Sequence, residues 1–216
     1  MTAALLAASA AFGAAPGEAP PPLQLSDTQP IEVVARATDF DYKNNTLVFY
    51  GVHISQGALA IEADNATATG LDFKASHWLF KGNVRITIPD GSLASNEAQV
   101  VFAANLIASA LITGTPATFE QKRGGTIARG RALKIEYEPV AGTVRLSDDA
   151  WLSDGNREIN ARTLVYNMRD QRVLANPDEQ ANQQVRITIN PKKPDGKPDT
   201  KPRPEAEPGA GPKPNP

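Results

Sequence analysis

Apolar and polar residues alternate along most of residues 31–189, and at five places the alternation slips by one position. Ile31, Val33 and Ala35 share one parity, whereas Thr38, Phe40 and Tyr42 take the other. The slip recurs between Leu59-Ile61-Ala63 and Ala66-Ala68, and between Leu93-Ser95 and Ala98-Val100-Phe102. It returns between Ala128-Gly130 and Leu133-Ile135-Tyr137, and between Ile159-Ala161 and Leu164-Tyr166-Met168. A period of two predicts strands. The small residues before the slips, at positions 35, 63, 95, 130 and 161, lie 28, 32, 35 and 31 residues apart. Self-similarity at this interval predicts a wound or stacked repeat.

A one-residue slip in a straight strand would turn every later apolar side chain toward water. For Ala98, Val100 and Phe102 together the loss would be roughly 4–6 kcal/mol. A bulge at each small residue would keep one face inward while bending the strand, so five bends along one line are expected. Return strands lie between the bent ones. "LVFYGV", "WLFKGNV", "ALITGTPA" and "TVRLSDDA" carry a Gly or Asp at positions 51, 82, 114 and 148, spaced by 31, 32 and 34. Val84 and Ile86 continue the inward parity on the second of these. Turn signals such as Pro89-Asp90-Gly91, Ala141-Gly142 and Asp154-Gly155-Asn156 separate the runs. The expected fold is all-β: an antiparallel meander of about ten strands, V-shaped or rolled, with an apolar inner face. Many inward positions are small, which either leaves room for a guest or lets two walls meet.

A meander of this kind ends in two unpaired strand edges. Ile31 and Val33 mark one, and Val185, Ile187 and Ile189 mark the other. With no helix to cover them, pairing with another strand is their expected use.

Composition then limits the function. The 216 residues carry 22 Lys+Arg against 24 Asp+Glu, a formal net charge of −2, so bulk attraction to nucleic acid is not expected. There is no cysteine, which excludes disulfides and Cys-ligated metals. "MTAALLAASAAFGAAPGEAPPP" reads as a signal-peptide apolar run over residues 1–15, with a Pro/Ala-rich spacer at 16–28. Because no Lys or Arg precedes Arg36, a start codon further upstream is expected to supply the basic leader. Residues 29–189 form the expected folded domain. Residues 190–216 hold nine prolines and no large apolar side chain, the composition of a solvated tail.

Candidate chemistry is sparse. His53 and His77 lie in different runs without a spaced acid, so solvated imidazoles are expected and no metal or cofactor is. Asp148-Asp149 and Asp154-Gly155-Asn156 fit turns better than a calcium loop. Glu62, Asp64, Glu97 and Glu136 fall on the outward parity. There is no G-x-S-x-G elbow and no phosphate loop. Trp151 is out of phase with Leu146, Ala150 and Leu152, which predicts an outer-face aromatic. Arg85, Lys74, Lys81 and Arg145 serve solubility by default, with lipid phosphates as the alternative.

Several dispersed phrases, "QPIEVVARATDFDY", "FYGVHISQGALAIEADNA", "WLFKGNV", "ALITGTPATFEQ" and "LKIEYEP", resemble the OstA-type domain of the lipopolysaccharide-transport family over about residues 29–189. The resemblance implies a V-shaped β-jellyroll, a periplasmic location in a Gram-negative bacterium, no catalysis, and lipopolysaccharide as cargo. It implies a lipid groove containing Ile31 and Val33 of the first strand and Leu59 and Ile61 after the Gln-Gly turn. The inward stripe extends the candidate groove to Phe40, Val84, Ile86, Val100, Phe102, Leu133, Ile135, Tyr137, Leu164 and Tyr166. Implied partners are homologous jellyrolls of inner- and outer-membrane complexes, together with end-to-end self-association. "FYGVHI" departs from the family phrase in lacking an Asn between Gly and Val. Two other readings stand beside this one: a membrane-anchored homologous subunit of the same pathway, and a structural or adhesive β-repeat protein with a packed core.

Overall fold

The structure, a computed structural model, describes residues 29–70, 75–104, 106–123, 126–170, 172–177 and 184–190. The expected signal and spacer, and the tail after Asn190, lie outside the described residues.

The strands are β1 Glu32–Asp41, β2 Thr46–Gln56, β3 Leu59–Thr69, β4 Ala75–Ile88, β5 Gly91–Ala103 and β6 Leu106–Arg123. They continue with β7 Thr126–Glu138, β8 Thr143–Ser153, β9 Arg157–Asn167, β10 Arg172–Ala175 and β11 Arg186–Ile189. All belong to one antiparallel sheet in sequence order from β1 to β10, and β11 also pairs with β9. The alternation therefore yields the all-β meander it predicts.

One line across the sheet divides it in two. The first half ends at the hairpins after Gln56, Ile88, Arg123 and Ser153. The second half ends at those after Asp41, Thr69, Ala103, Glu138 and Asn167. Ala66, Phe80, Ala98, Ala117 and Ala132 are at most 1% exposed although no second layer exists among the described residues. Such burial requires the sheet to fold over itself along the dividing line, inner face against inner face.

Four of the five bends fall where the repeat places them, but the surplus residues do not. Each odd-numbered strand crosses the line in three residues: Ala35 to Thr38, Ala63 to Ala66, Ser95 to Ala98, Ala132 to Ile135 and Ala161 to Leu164. The return strands absorb the difference. Phe80 to Val84 takes four, because Gly82 and Asn83 together face the single residue Asn96. Asp148 and Asp149 likewise face Arg162 alone. On β6, Gly114, Thr115 and Pro116 oppose Leu133, with a cis Thr115–Pro116 bond. Backbone chirality supplies the reason for two of these. Gly82 and Asn83 have φ of 77° and 47°, and Asp148 and Asp149 have 60° and 57°. Gly, Asn and Asp tolerate this left-handed region, which Ala does not. The bulges expected at the small residues thus sit on their neighbours from β4 onward. The one expected at Ala35 is absent, because β1 and β2 cross the line in unbroken register. In the fourth repeat the crossing lies after Ala132 rather than after Gly130, so Leu133 is displaced from the inner face.

Inward alanines are filled from the side. Ala66 and Ala68 on β3 pair with Phe49 and Leu47 on one flank and with Phe80 and Trp78 on the other. The Phe49 and Trp78 rings meet above them at 5.8 Å, and Trp78 stacks on Phe80 at 5.7 Å. The Trp78 indole N–H donates to the Ser76 hydroxyl at 3.2 Å, so its polar edge is satisfied inside the core. Gly130 plays the same part on β7, where the ring of its pair partner Phe119 occupies the space a side chain would need.

Candidate functional site

The register assembles the inner face into rows that run across the strands. In the first half, pairing links Val33, Ile54, Ile61, Ile86 and Leu93 in succession from β1 to β5. It continues through Phe119, Gly130, Leu152 and Ile159 to Ile187 on β11. Every member is apolar or a glycine roofed by Phe119. Nine inter-strand steps of about 4.8 Å make the row roughly 43 Å long. The equivalent row of the second half runs Phe40, Leu47, Ala68, Trp78, Val100, Ala110, Tyr137, Val144, Tyr166 and Val173.

The two rows hold equally many half-buried members but differ in where these fall. Val33, Ile86, Leu93, Phe119 and Leu152 in the first row are half-buried and pack against the core, so a face of each reaches solvent. In the second row Leu47, Ala68, Trp78 and Val100 are shut as one block on β2–β5, and Ala110, Tyr137, Val144, Tyr166 and Val173 are half-buried on β6–β10.

Against these rows the sequence-derived groove residues sort into three groups. Ile31, Val33, Leu59 and Ile86 lie half-open on the first half, and Tyr137 and Tyr166 lie half-open on the second. Ile61, Val84, Val100, Phe102, Ile135 and Leu164 are between 1% and 7% exposed and form the packed floor. Phe40 is on the inner face of edge strand β1 but 43% exposed, stacked on Tyr42. Leu133 is the correction: it is 45% exposed, and Ala132 takes the inward place. Phe119 and Leu152 were not among the sequence candidates. Both sit on return strands, where the periodic signal is interrupted by the surplus residues.

The edges are built unequally. At one side β1 offers ten residues with a free flank. At the other, β9 is flanked by β11 along its first half and by β10 along its second. Asn176 bridges the gap: its backbone N–H donates to the Thr163 carbonyl at 2.8 Å, and its side-chain oxygen accepts from the Thr163 N–H at 3.1 Å. On β11, Ile187 and Ile189 are 61% and 71% exposed. The charges differ in sign. β1 carries Glu32, Asp39 and Asp41 against Arg36, whereas β10 and β11 carry Arg172 and Arg186. Hydrogen bonds from the Asn44 side chain and from the Asn44 and Lys43 backbone hold the Asp41 carboxyl below its ordinary range.

The outer face is a field of satisfied polar pairs. His53 meets Glu62 at 3.3 Å, Lys81 meets Glu97 at 3.4 Å and Lys134 meets Glu136 at 2.7 Å. Asp64 accepts from the Asn83 side chain. Trp151 is on this face, as its phase predicts: it donates to Glu158 and lies under the Arg131 guanidinium at 5.4 Å. The Asp154 carboxylate closes the β8–β9 hairpin. Burial pushes its pKa up, but the Arg157 and Asn156 N–H groups and the Arg157 guanidinium outweigh that and leave it lowered. No cluster of three or more metal-ligating side chains occurs among the described residues. None of their helices is long and apolar enough to cross a membrane.

A bent, single-sheet β-protein with a long apolar inner row and two free edges is the class defined by this geometry. The family described as LptA/(LptD N-terminal domain) LPS transport protein matches residues 65–172, half of the chain, and the chain belongs to it. Its role therefore lies in lipopolysaccharide transport. Among solved structures, the chain is similar to LptH of Pseudomonas aeruginosa, described as the LptA-homologous periplasmic component of the lipopolysaccharide transport device. The identity is 19% and the TM-score 0.48, over 76% of this chain and 96% of that one. None of the curated proteins matches.

Proposed function

We propose that the chain is a periplasmic, non-catalytic carrier that shields lipopolysaccharide acyl chains along the first-half row and bridges homologous jellyrolls of inner- and outer-membrane complexes. The carrying observation is that an unbroken apolar row runs from one free edge to the other, with half-buried members on β1, β4, β5, β6 and β8 interspersed among buried ones. Each methylene kept from water is worth about 0.8 kcal/mol, so a single medium-length acyl chain faces a barrier of order 10 kcal/mol in free solution. A continuous apolar track lowers that barrier without tight binding, which would stall passage.

The edges support end-to-end association. β1 runs from the first half toward the second, and the composite β10–β11 edge runs the opposite way. A second copy's β1 placed beside that edge is antiparallel with its halves already aligned. Val33 would then extend the row beyond Ile187, and Asp41 would face Arg172. The acidic and basic edges attract each other and repel their own kind, which makes the stacking head-to-tail.

Native mass spectrometry of detergent-free protein, with photocrosslinking from Phe119, tests the reading. Co-purified or crosslinked glycolipid is expected. An interior that neither carries nor crosslinks lipid would instead favour the packed-core structural reading, for which the shut floor of the second half is the supporting observation.

A further inference from the structure

The five small residues at which the odd strands approach the dividing line are not chemically alike. Ala35, Ala63, Ala132 and Ala161 bring no polar side-chain atom to the inner face; Ser95 does. Its hydroxyl oxygen is shut off from solvent and lacks a hydrogen-bond partner, the single such side-chain atom among the described residues. An unsatisfied buried hydroxyl is a net cost that alanine, adequate at all four of the equivalent places, would avoid. The position matters as well. Ser95 pairs with the buried Val84 and lies two residues along β5 from Leu93, whose row partners Ile86 and Phe119 are also half-open. The hydroxyl therefore stands at the dividing-line end of an otherwise apolar seat.

We propose that Ser95 is the polar anchor of this seat, donating its hydroxyl hydrogen to the ester or amide carbonyl at the head of an acyl chain whose hydrocarbon runs along the row. The hydroxyl is uncovered as the half-open side chains of Ile86, Leu93 and Phe119 part around the guest. The inference rests on the lipid-shielding reading above and adds its specificity. The track accepts acylated amphiphiles in a preferred orientation rather than any greasy molecule. A hydrocarbon tail has no acceptor to offer, so the anchor discriminates between carbonyl-bearing lipids and plain apolar guests.

The test compares wild type, Ser95→Ala and Ser95→Thr with two probes: lipid A, which bears ester and amide carbonyls, and N-phenylnaphthylamine, an apolar dye with none. Ser95→Ala is expected to weaken lipid A about three- to ten-fold, the worth of one neutral hydrogen bond. It should leave dye binding unchanged and the melting temperature of the lipid-free protein no lower. Ser95→Thr, which keeps the hydroxyl, is expected to retain lipid A binding. Unchanged lipid A affinity in Ser95→Ala would overturn the anchor while leaving the track intact. Equal weakening of both probes with a lowered melting temperature would also overturn it, by showing a structural role. Wild-type protein that takes up neither probe would remove the track itself, and the anchor with it.

Discussion

The two halves of the folded sheet share a register, a repeat and an apolar inner face, yet they use that face differently. In the second half the alanines of β3 are roofed by Phe49, Trp78 and Phe80, and stacked rings close the interior across β2–β4. In the first half the corresponding row is almost wholly aliphatic, and its five half-buried members are interspersed among buried ones from β1 to β8, whereas the five of the second half gather on β6–β10. The ring-stacked block of the second half supplies the rigidity that holds the bend, and the open positions spread along the first row offer surface that a guest can cover. A lipid carrier needs both, because a sheet without a filled core would collapse onto its own groove.

The contrast can be broken most forcefully in the ring-stacked block. Trp78→Ala removes a side chain that is 1% exposed and central to the ring stack. It is expected to cost about 3–5 kcal/mol, read as a lowered urea midpoint. Phe102→Asp and Ile135→Asp place a charge at positions only 4% and 3% exposed and are expected to prevent folding outright. Leu93→Asp in the first row should behave oppositely. It is expected to lower stability by no more than about 2 kcal/mol, part of one apolar side chain's burial, and to abolish glycolipid crosslinking. A variant that unfolds as readily as Trp78→Ala would erase the distinction between the halves.

The edges give a smaller effect. Reversing Arg172 and Arg186 to Glu is expected to weaken end-to-end association about ten-fold at low salt, with much less effect at high salt. Adding Asp39→Lys and Asp41→Lys in the same chain should restore it, as sedimentation would show. Oligomer size insensitive to these reversals would remove the polar-edge account. The smallest effect belongs to the β8–β9 hairpin. The folded-state pKa of Asp154 is lowered, so its carboxylate adds stability above the ordinary carboxylate range and loses it as pH falls through and below about 4. Asp154→Asn should therefore be less stable than wild type at pH 7 and indistinguishable from it near pH 2 in thermal melts.

Much of this architecture was legible in the chain. Alternation gave the strands, and the slip from Ser95 to Ala98 located the dividing line, because a buried face cannot change parity without bending. The placement of the surplus was not legible from the small residues. It depends on which strand can enter the left-handed region, and that role went to the Gly82-Asn83 and Asp148-Asp149 pairs on the return strands. Leu133 was misassigned for the same reason: Ala132 is too small to register in a hydrophobic pattern, so the inward phase looked like that of its larger neighbour. The distribution of packed and open positions over the inner face was equally hidden. Openness at Leu93 and closure at Val100 come from what neighbouring strands place beside them. No local alternation carries that information.

The chain has no cysteine, so single spin labels can be introduced at will. The most direct measurement places labels one at a time at Ile86, Leu93, Phe119 and Leu152 of the first row and at Tyr137, Val144 and Tyr166 of the second, all half-buried. Label mobility is then read before and after addition of lipopolysaccharide. Immobilisation confined to the first-row labels is the predicted result. Equal immobilisation of both rows, or none in the first, would contradict the account.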